Sequence, residues 1–64
     1  MKRADLISHL QSHGCSLLRE GSRHTVFIHS ESGRISTVPR HREVQTFLGR
    51  KICRDLGVPE IKKK

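Results

Sequence analysis

The sequence predicts an α+β domain of order α-β-β-β-α, a three-stranded antiparallel sheet with two helices on one face. Three observations lead there. Leu6, Ile7 and Leu10 recur at helical spacing near the start, and Val44, Phe47, Leu48, Ile52 and Leu56 do so near the end. Between them lie three short runs, "CSLLRE", "HTVFIH" and "RISTV", the middle one β-branched and aromatic. Only the brief turn segments "GSR" and "SESG" separate these runs, which makes the connections hairpins and the sheet a meander. Placing both helices on one face is the economical way to bury two apolar stripes. It leaves the opposite face of the sheet open.

The first helix is expected over residues 3–13, with Asp5, Ser8, His9 and Gln11 on its polar side. Gly14 follows where a left-handed residue would stop it. In "HTVFIH", alternation puts Val26 and Ile28 on one face and Thr25, Phe27 and His29 on the other. Which set meets the core stays open at this level, and so does the direction of His24 at the start of the strand. Pro39 ends the third strand. The second helix carries Arg50 and Arg54 opposite its apolar stripe and is stopped by Gly57 and Pro59. Residues 1–58 are expected to form one domain, and residues 59–64 a basic mobile tail.

Composition sets limits on function. The chain has 64 residues, 33% of them hydrophobic, with two Phe and no Trp or Tyr. A chain this short buries only about 60% of the surface its unfolded form exposes. The core must be thin and aliphatic, which argues against a deep enclosed pocket and places function on the surface. Thirteen Lys and Arg against six Asp and Glu give a net charge of +7. Such a surplus draws polyanions by steering and counterion release. Nucleic acid is the first candidate partner and an acidic protein the second. Cys15 and Cys53 lie far apart and outside any C-x-x-C pair, and read as reduced, partly buried residues of a cytosolic protein. No signal peptide precedes Lys2, and no apolar run approaches the roughly 18 residues of a membrane span. A soluble cytoplasmic protein with no membrane partner is expected.

The carboxylates Asp5, Glu20, Glu31, Glu43, Asp55 and Glu60 are scattered. A two-metal nuclease needs several of them converging, and a glycosidase needs a pair. The cysteines and histidines show no familiar zinc spacing. Acid–base chemistry by imidazole survives this elimination. RNA carries its own nucleophile, the 2′-hydroxyl, beside the phosphorus it attacks. Its cleavage needs a proton acceptor, a proton donor and cations that steady the crowded phosphorane, so no metal ion or cofactor is expected. His24 is the leading candidate imidazole, because Gly21 and Ser22 permit a tight turn beside it and Arg23 is adjacent. Its plain alternative is a turn-edge histidine with no task. His29 is a candidate second proton carrier or phosphate ligand, or structural filler. His9 and His13 read as solvated. In "VPRHRE", Arg40, His41 and Arg42 are expected at the mouth of the second helix, where basic residues oppose the helix dipole but complement a bound phosphate. Arg50, Lys51 and Arg54 extend the positive surface.

The segments "DLISHLQSHG", "GSRHTVFIH", "GRISTVPRH" and "RKICRDLGV", in this order and spacing, resemble the HicA-like toxin family. These are small ribonucleases of bacterial toxin–antitoxin pairs, with a fold similar to a double-stranded-RNA-binding domain. The resemblance covers residues 2–58. It implies that His24 is the catalytic histidine of an mRNA-cleaving, translation-blocking toxin, and that a HicB-like antitoxin covers the site. Many members place His directly after the Gly-Ser turn, where this chain has Arg23. The role is assigned to His24 because an arginine does not exchange protons near neutral pH. With it, Gly21, Ser22, Arg23, His29, Arg40, His41 and Lys51 form the expected RNA-binding set. The alternative from another class is a non-catalytic RNA-binding module on the same basic surface.

Overall fold

Leu6 and Leu10, one helical turn apart, are both wholly buried. They anchor α1, Arg3–Ser12, in a computed structural model that describes residues 1–61. His13 forms the C-cap, one residue earlier than a helix over 3–13 would place it. Gly14 takes the expected left-handed conformation, with φ 87°. The strands follow as β1 Cys15–Glu20, β2 His24–His29 and β3 Ile35–Pro39, then α2 Thr46–Leu56. The sheet order is β1-β2-β3, antiparallel throughout. This is the predicted α-β-β-β-α fold.

Burial decides the question that alternation leaves open on β2. Thr25 and Phe27 are each only 2% exposed, whereas Val26 and Ile28 are half-buried. Thr25 pairs with Val38, itself 0% exposed, and Cys15 pairs with His29 at the other end. The inner face therefore carries Cys15, Thr25, Phe27 and Val38. These join Leu6, Leu10, Ile52, Cys53 and Leu56 in one core cluster. Both helices pack on that face. The molecule is 16 Å across its shortest axis, room for one sheet and one helical layer. His24 falls on the other, open face with Val26, Ile28 and Ile35.

The apolar stripe of α2 differs from the expected one. Its buried residues are Gly49, Ile52, Cys53 and Leu56, with Leu48 beside them, and Val44 is buried ahead of the helix. Phe47 is 72% exposed. It precedes Gly49 by two residues, about 160° round the helix, so it points away from the seam. The seam is centred on a glycine because the Met1 side chain fills that place: a Cβ at Gly49 would stand 2.7 Å from Met1 Cε. Gly57 ends the helix at φ 76°, with its N–H on Arg54 O and the Val58 N–H on Cys53 O, the paired bonds of a Schellman motif.

The first residues also tie down the link between β3 and α2. Val44 N–H donates to Met1 O at 2.8 Å, Arg3 N–H donates to Arg42 O at 2.9 Å, and Lys2 bridges Glu43. At the other end, His9 Nε2 donates to Pro59 O at 2.7 Å, and Ile61 packs on the core. Of the tail expected to be mobile, residues 59–61 make these contacts with the domain. Residues 62–64 lie outside the described part. Among the described residues no helix is long and apolar enough to cross a membrane.

Candidate active site

The β1–β2 hairpin closes through a tight backbone contact at Gly21, just before its tip. Gly21 N–H donates to His24 O at 2.8 Å, and a Cβ at Gly21 would sit 3.0 Å from that same oxygen. The tip is thus Ser22 and Arg23, and His24 begins the strand just past it. His24 pairs with Pro39 across β2 and β3. Chain geometry then brings Arg40 and His41, which follow Pro39, alongside the hairpin. Arg40 Nη1 donates to Gly21 O at 3.1 Å and clasps the tip to the exit of β3. Arg23, His24, Arg40 and His41 line one surface recess, and all four side chains are exposed.

The five histidines divide by their partners. The His9 ring donates to Pro59 O, and His13 Nδ1 donates to His9 O at 2.9 Å. His29 Nε2 donates to His13 O at 3.1 Å, which leaves Nδ1 to accept from Ser32 Oγ at 3.0 Å. Among the described residues, no hydrogen bond engages the ring of His24 or His41. The two free imidazoles are the two that share a recess with two guanidinium groups.

His29 lies at the far end of β2, about 16 Å of strand from His24. Its ring nitrogens are both occupied, and it lines neither recess around His24. Lys51 is also separate: it lines none of the recesses around His24, and its Nζ donates to Asp55 Oδ2 at 2.9 Å. Gly21, Ser22, Arg23, His24, Arg40 and His41 are brought together, whereas His29 and Lys51 are not. The expectation for the helix mouth also changes. α2 begins at Thr46 behind an N-cap at Gln45, so Arg40 to Arg42 precede it. Arg42 and Glu43 pair with the first residues of the chain, and Arg40 and His41 turn to the hairpin instead of the helix N–H groups.

Arg3 is the residue that sequence reasoning missed. Its Nε donates to Pro39 O at 2.8 Å and its Nη2 to Thr25 Oγ1 at 3.0 Å. Those are the residues just after His24 and just before Arg40. One guanidinium therefore fixes both strands from beneath the recess. No local pattern signals it, because its partners are 22 and 36 residues away.

Cys15 and Cys53 are free and buried. Burial pushes both thiols up; for Cys15 the neighbouring Cys53 adds to this, and for Cys53 a bond to the Ile61 backbone opposes it. They are core residues and poor nucleophiles. Among the described residues, no group of three or more His, Cys, Asp or Glu side chains converges on a metal-sized site.

A family model described as HicA toxin of bacterial toxin-antitoxin matches residues 3–58. No significant match to a curated protein or to a solved structure was found.

Proposed function

The chain belongs to the HicA toxin family and is therefore the toxin of a toxin–antitoxin pair, and from that premise we propose that it is a metal-independent endoribonuclease that cleaves mRNA and blocks translation. The observation that carries this reading is the pair of unengaged imidazoles, His24 and His41, in one recess with Arg23 and Arg40. One imidazole takes the proton of the ribose 2′-hydroxyl. O2′ then bonds to phosphorus, and the bond from phosphorus to the 5′-oxygen breaks. The other imidazole protonates that leaving oxygen. The products are a 2′,3′-cyclic phosphate and a 5′-hydroxyl. Arg23 and Arg40 meet the charge that builds on the non-bridging oxygens. Arg40 is pre-positioned for this by its bond to Gly21 O, so little reorganisation accompanies the reaction.

The partner is read as a HicB-type antitoxin that covers the recess. The open sheet face beside it suits such contact, because Ile35 is 56% exposed and Val26 and Ile28 are half-buried next to His24. Action on mRNA places the protein in the cytoplasm.

Cleavage of a defined RNA by the parent, His24→Ala and His41→Ala tests the reading. Each variant should be slower by about 10²–10⁴-fold, the usual worth of a positioned acid or base. His13→Ala, whose ring only caps its own helix, should match the parent. Salt-sensitive RNA binding by a parent that releases no cyclic-phosphate product would replace the enzyme by a binding module.

A further inference from the structure

We propose that the recess lined by Lys2, Arg3, Arg40 and Arg42 is a second phosphate subsite, which holds the RNA backbone at the phosphate next to the one cleaved at His24. The inference rests on the ribonuclease reading and adds a portion of substrate that the His24 recess does not accommodate.

Arg40 supplies continuity. It lines both recesses, so one guanidinium stands between the imidazole pair and the second cluster of cations. A polyanion lying across Arg40 has positive charge on either side of it.

The distribution of carboxylates supplies the second argument. On α2, Lys51 pairs with Asp55 at 2.9 Å, and Arg50 and Arg54 approach Glu60 at 3.8 and 3.9 Å. That surface is largely offset by its own acids. In the recess the acid is Glu43, which leans 3.6 Å from the Met1 ammonium. Among the described residues, Lys2, Arg3, Arg40 and Arg42 have no carboxylate within the 4.0 Å of an ion pair. Arg3 bonds only neutral oxygens, Pro39 O and Thr25 Oγ1, and keeps its full charge. Four cations crowded around a single carboxylate, itself turned to the Met1 ammonium, repel one another, and a bound phosphate relieves that repulsion.

The cluster is also assembled, not incidental. Lys2 and Arg42 come from segments forty residues apart, and the Lys2–Glu43 bridge and the Arg3 N–H to Arg42 O bond hold them together. The backbones that carry Lys2 and Arg42 are fixed in advance, and the Arg3 and Arg40 guanidiniums are held by their own hydrogen bonds, so a ligand has less to order.

A 2′-O-methyl hexanucleotide is the probe, since its blocked hydroxyl allows binding without cleavage. Its affinity is measured against salt for the parent, Lys2→Gln, Arg42→Gln, Arg42→Lys and Arg50→Gln. Each phosphate contact on a single strand contributes a slope of about 0.7 in log K against log salt. Lys2→Gln and Arg42→Gln should each reduce the slope by about that amount and weaken low-salt binding by about 3–10-fold. Arg42→Lys and Arg50→Gln should keep the parent slope. Unchanged slopes for Lys2→Gln and Arg42→Gln would overturn the subsite. So would an equal reduction in Arg50→Gln, which would mean that only total charge matters. Cleavage is scored separately with unmodified RNA. A parent that cuts nothing while Lys2→Gln and Arg42→Gln show the expected loss sinks the ribonuclease reading and leaves the subsite standing.

Discussion

Thr25 is the one polar side chain buried in the core among the described residues, and the Arg3 guanidinium is what allows it there. Without that donor the hydroxyl would be buried and unmatched, and Pro39 O would lose a charged partner. Hydrogen bonds to charged groups are worth more than neutral ones, so Arg3→Ala should cost about 2 kcal/mol in urea unfolding. Arg3→Ala combined with Thr25→Val should recover part of that loss, because the orphaned hydroxyl is then gone. An Arg3→Ala chain as stable as the parent would deny Arg3 its positioning role. The thiols give a second test at this scale. Folding raises both Cys15 and Cys53 above their ordinary value of 9.0, chiefly by burial. Below that value both states hold the same protons, and the shift has no effect on stability. Above it the unfolded chain releases protons that the folded chain keeps, so stability falls as pH rises through 9.0. Unfolding midpoints at pH 8 and about pH 10 should show this fall, and it should shrink in a Cys15→Ala, Cys53→Ala double variant. A fall of the same size in the double variant would contradict the assignment.

Elements were legible from sequence where punctuation is local. Gly14 and Gly57 stop their helices in left-handed conformations, and Gly33 turns between β2 and β3 at φ 75°. The runs "CSLLRE" and "HTVFIH" are β1 and β2 residue for residue, and "RISTV" is displaced by one, to Ile35–Pro39. What stayed hidden was decided by partners distant in the chain. Thr25 faces inward because of Arg3, Phe47 faces outward because Met1 fills the space at Gly49, and His29 is occupied because the His13 carbonyl reaches it. Two phenylalanines make the difference measurable. Phe27→Ala should cost about 3–5 kcal/mol, as a buried aromatic does. Phe47→Ala should stay within about 0.5 kcal/mol of the parent. Comparable losses at both positions would show that Phe47 packs in solution. The hairpin tip belongs to this scale too. Gly21→Ala brings a Cβ to 3.0 Å from a backbone oxygen, so the turn has to give by a few tenths of an ångström. It should reduce cleavage by about tenfold or more while costing about 1 kcal/mol or less in stability.

At the scale of the whole molecule, a charge of +7 is arranged unevenly. The acids Asp55 and Glu60 offset the cations of α2, while among the described residues Lys2, Arg3, Arg23, Arg40 and Arg42 have no carboxylate within ion-pair distance. The gathering of Gly21 to His24 with Arg40 and His41 was readable in the sequence as motif and order. Their convergence was not, since it depends on β2 and β3 pairing so that His24 meets Pro39. The thin core gives the antitoxin a thermodynamic part. A partner present at 100 times its Kd and binding only the native form adds about 2.7 kcal/mol, about 10–20 °C in Tm for a domain this small. An unchanged Tm in the complex would mean that the partner binds unfolded chain equally well. The central claim is that His24 and His41 act as a proton-exchanging pair on one phosphodiester, and the pH dependence of single-turnover RNA cleavage tests it most directly. The parent should give a bell-shaped profile, with His24→Ala and His41→Ala each slower and each missing a different limb. A full bell in either variant, at the parent rate, would contradict it.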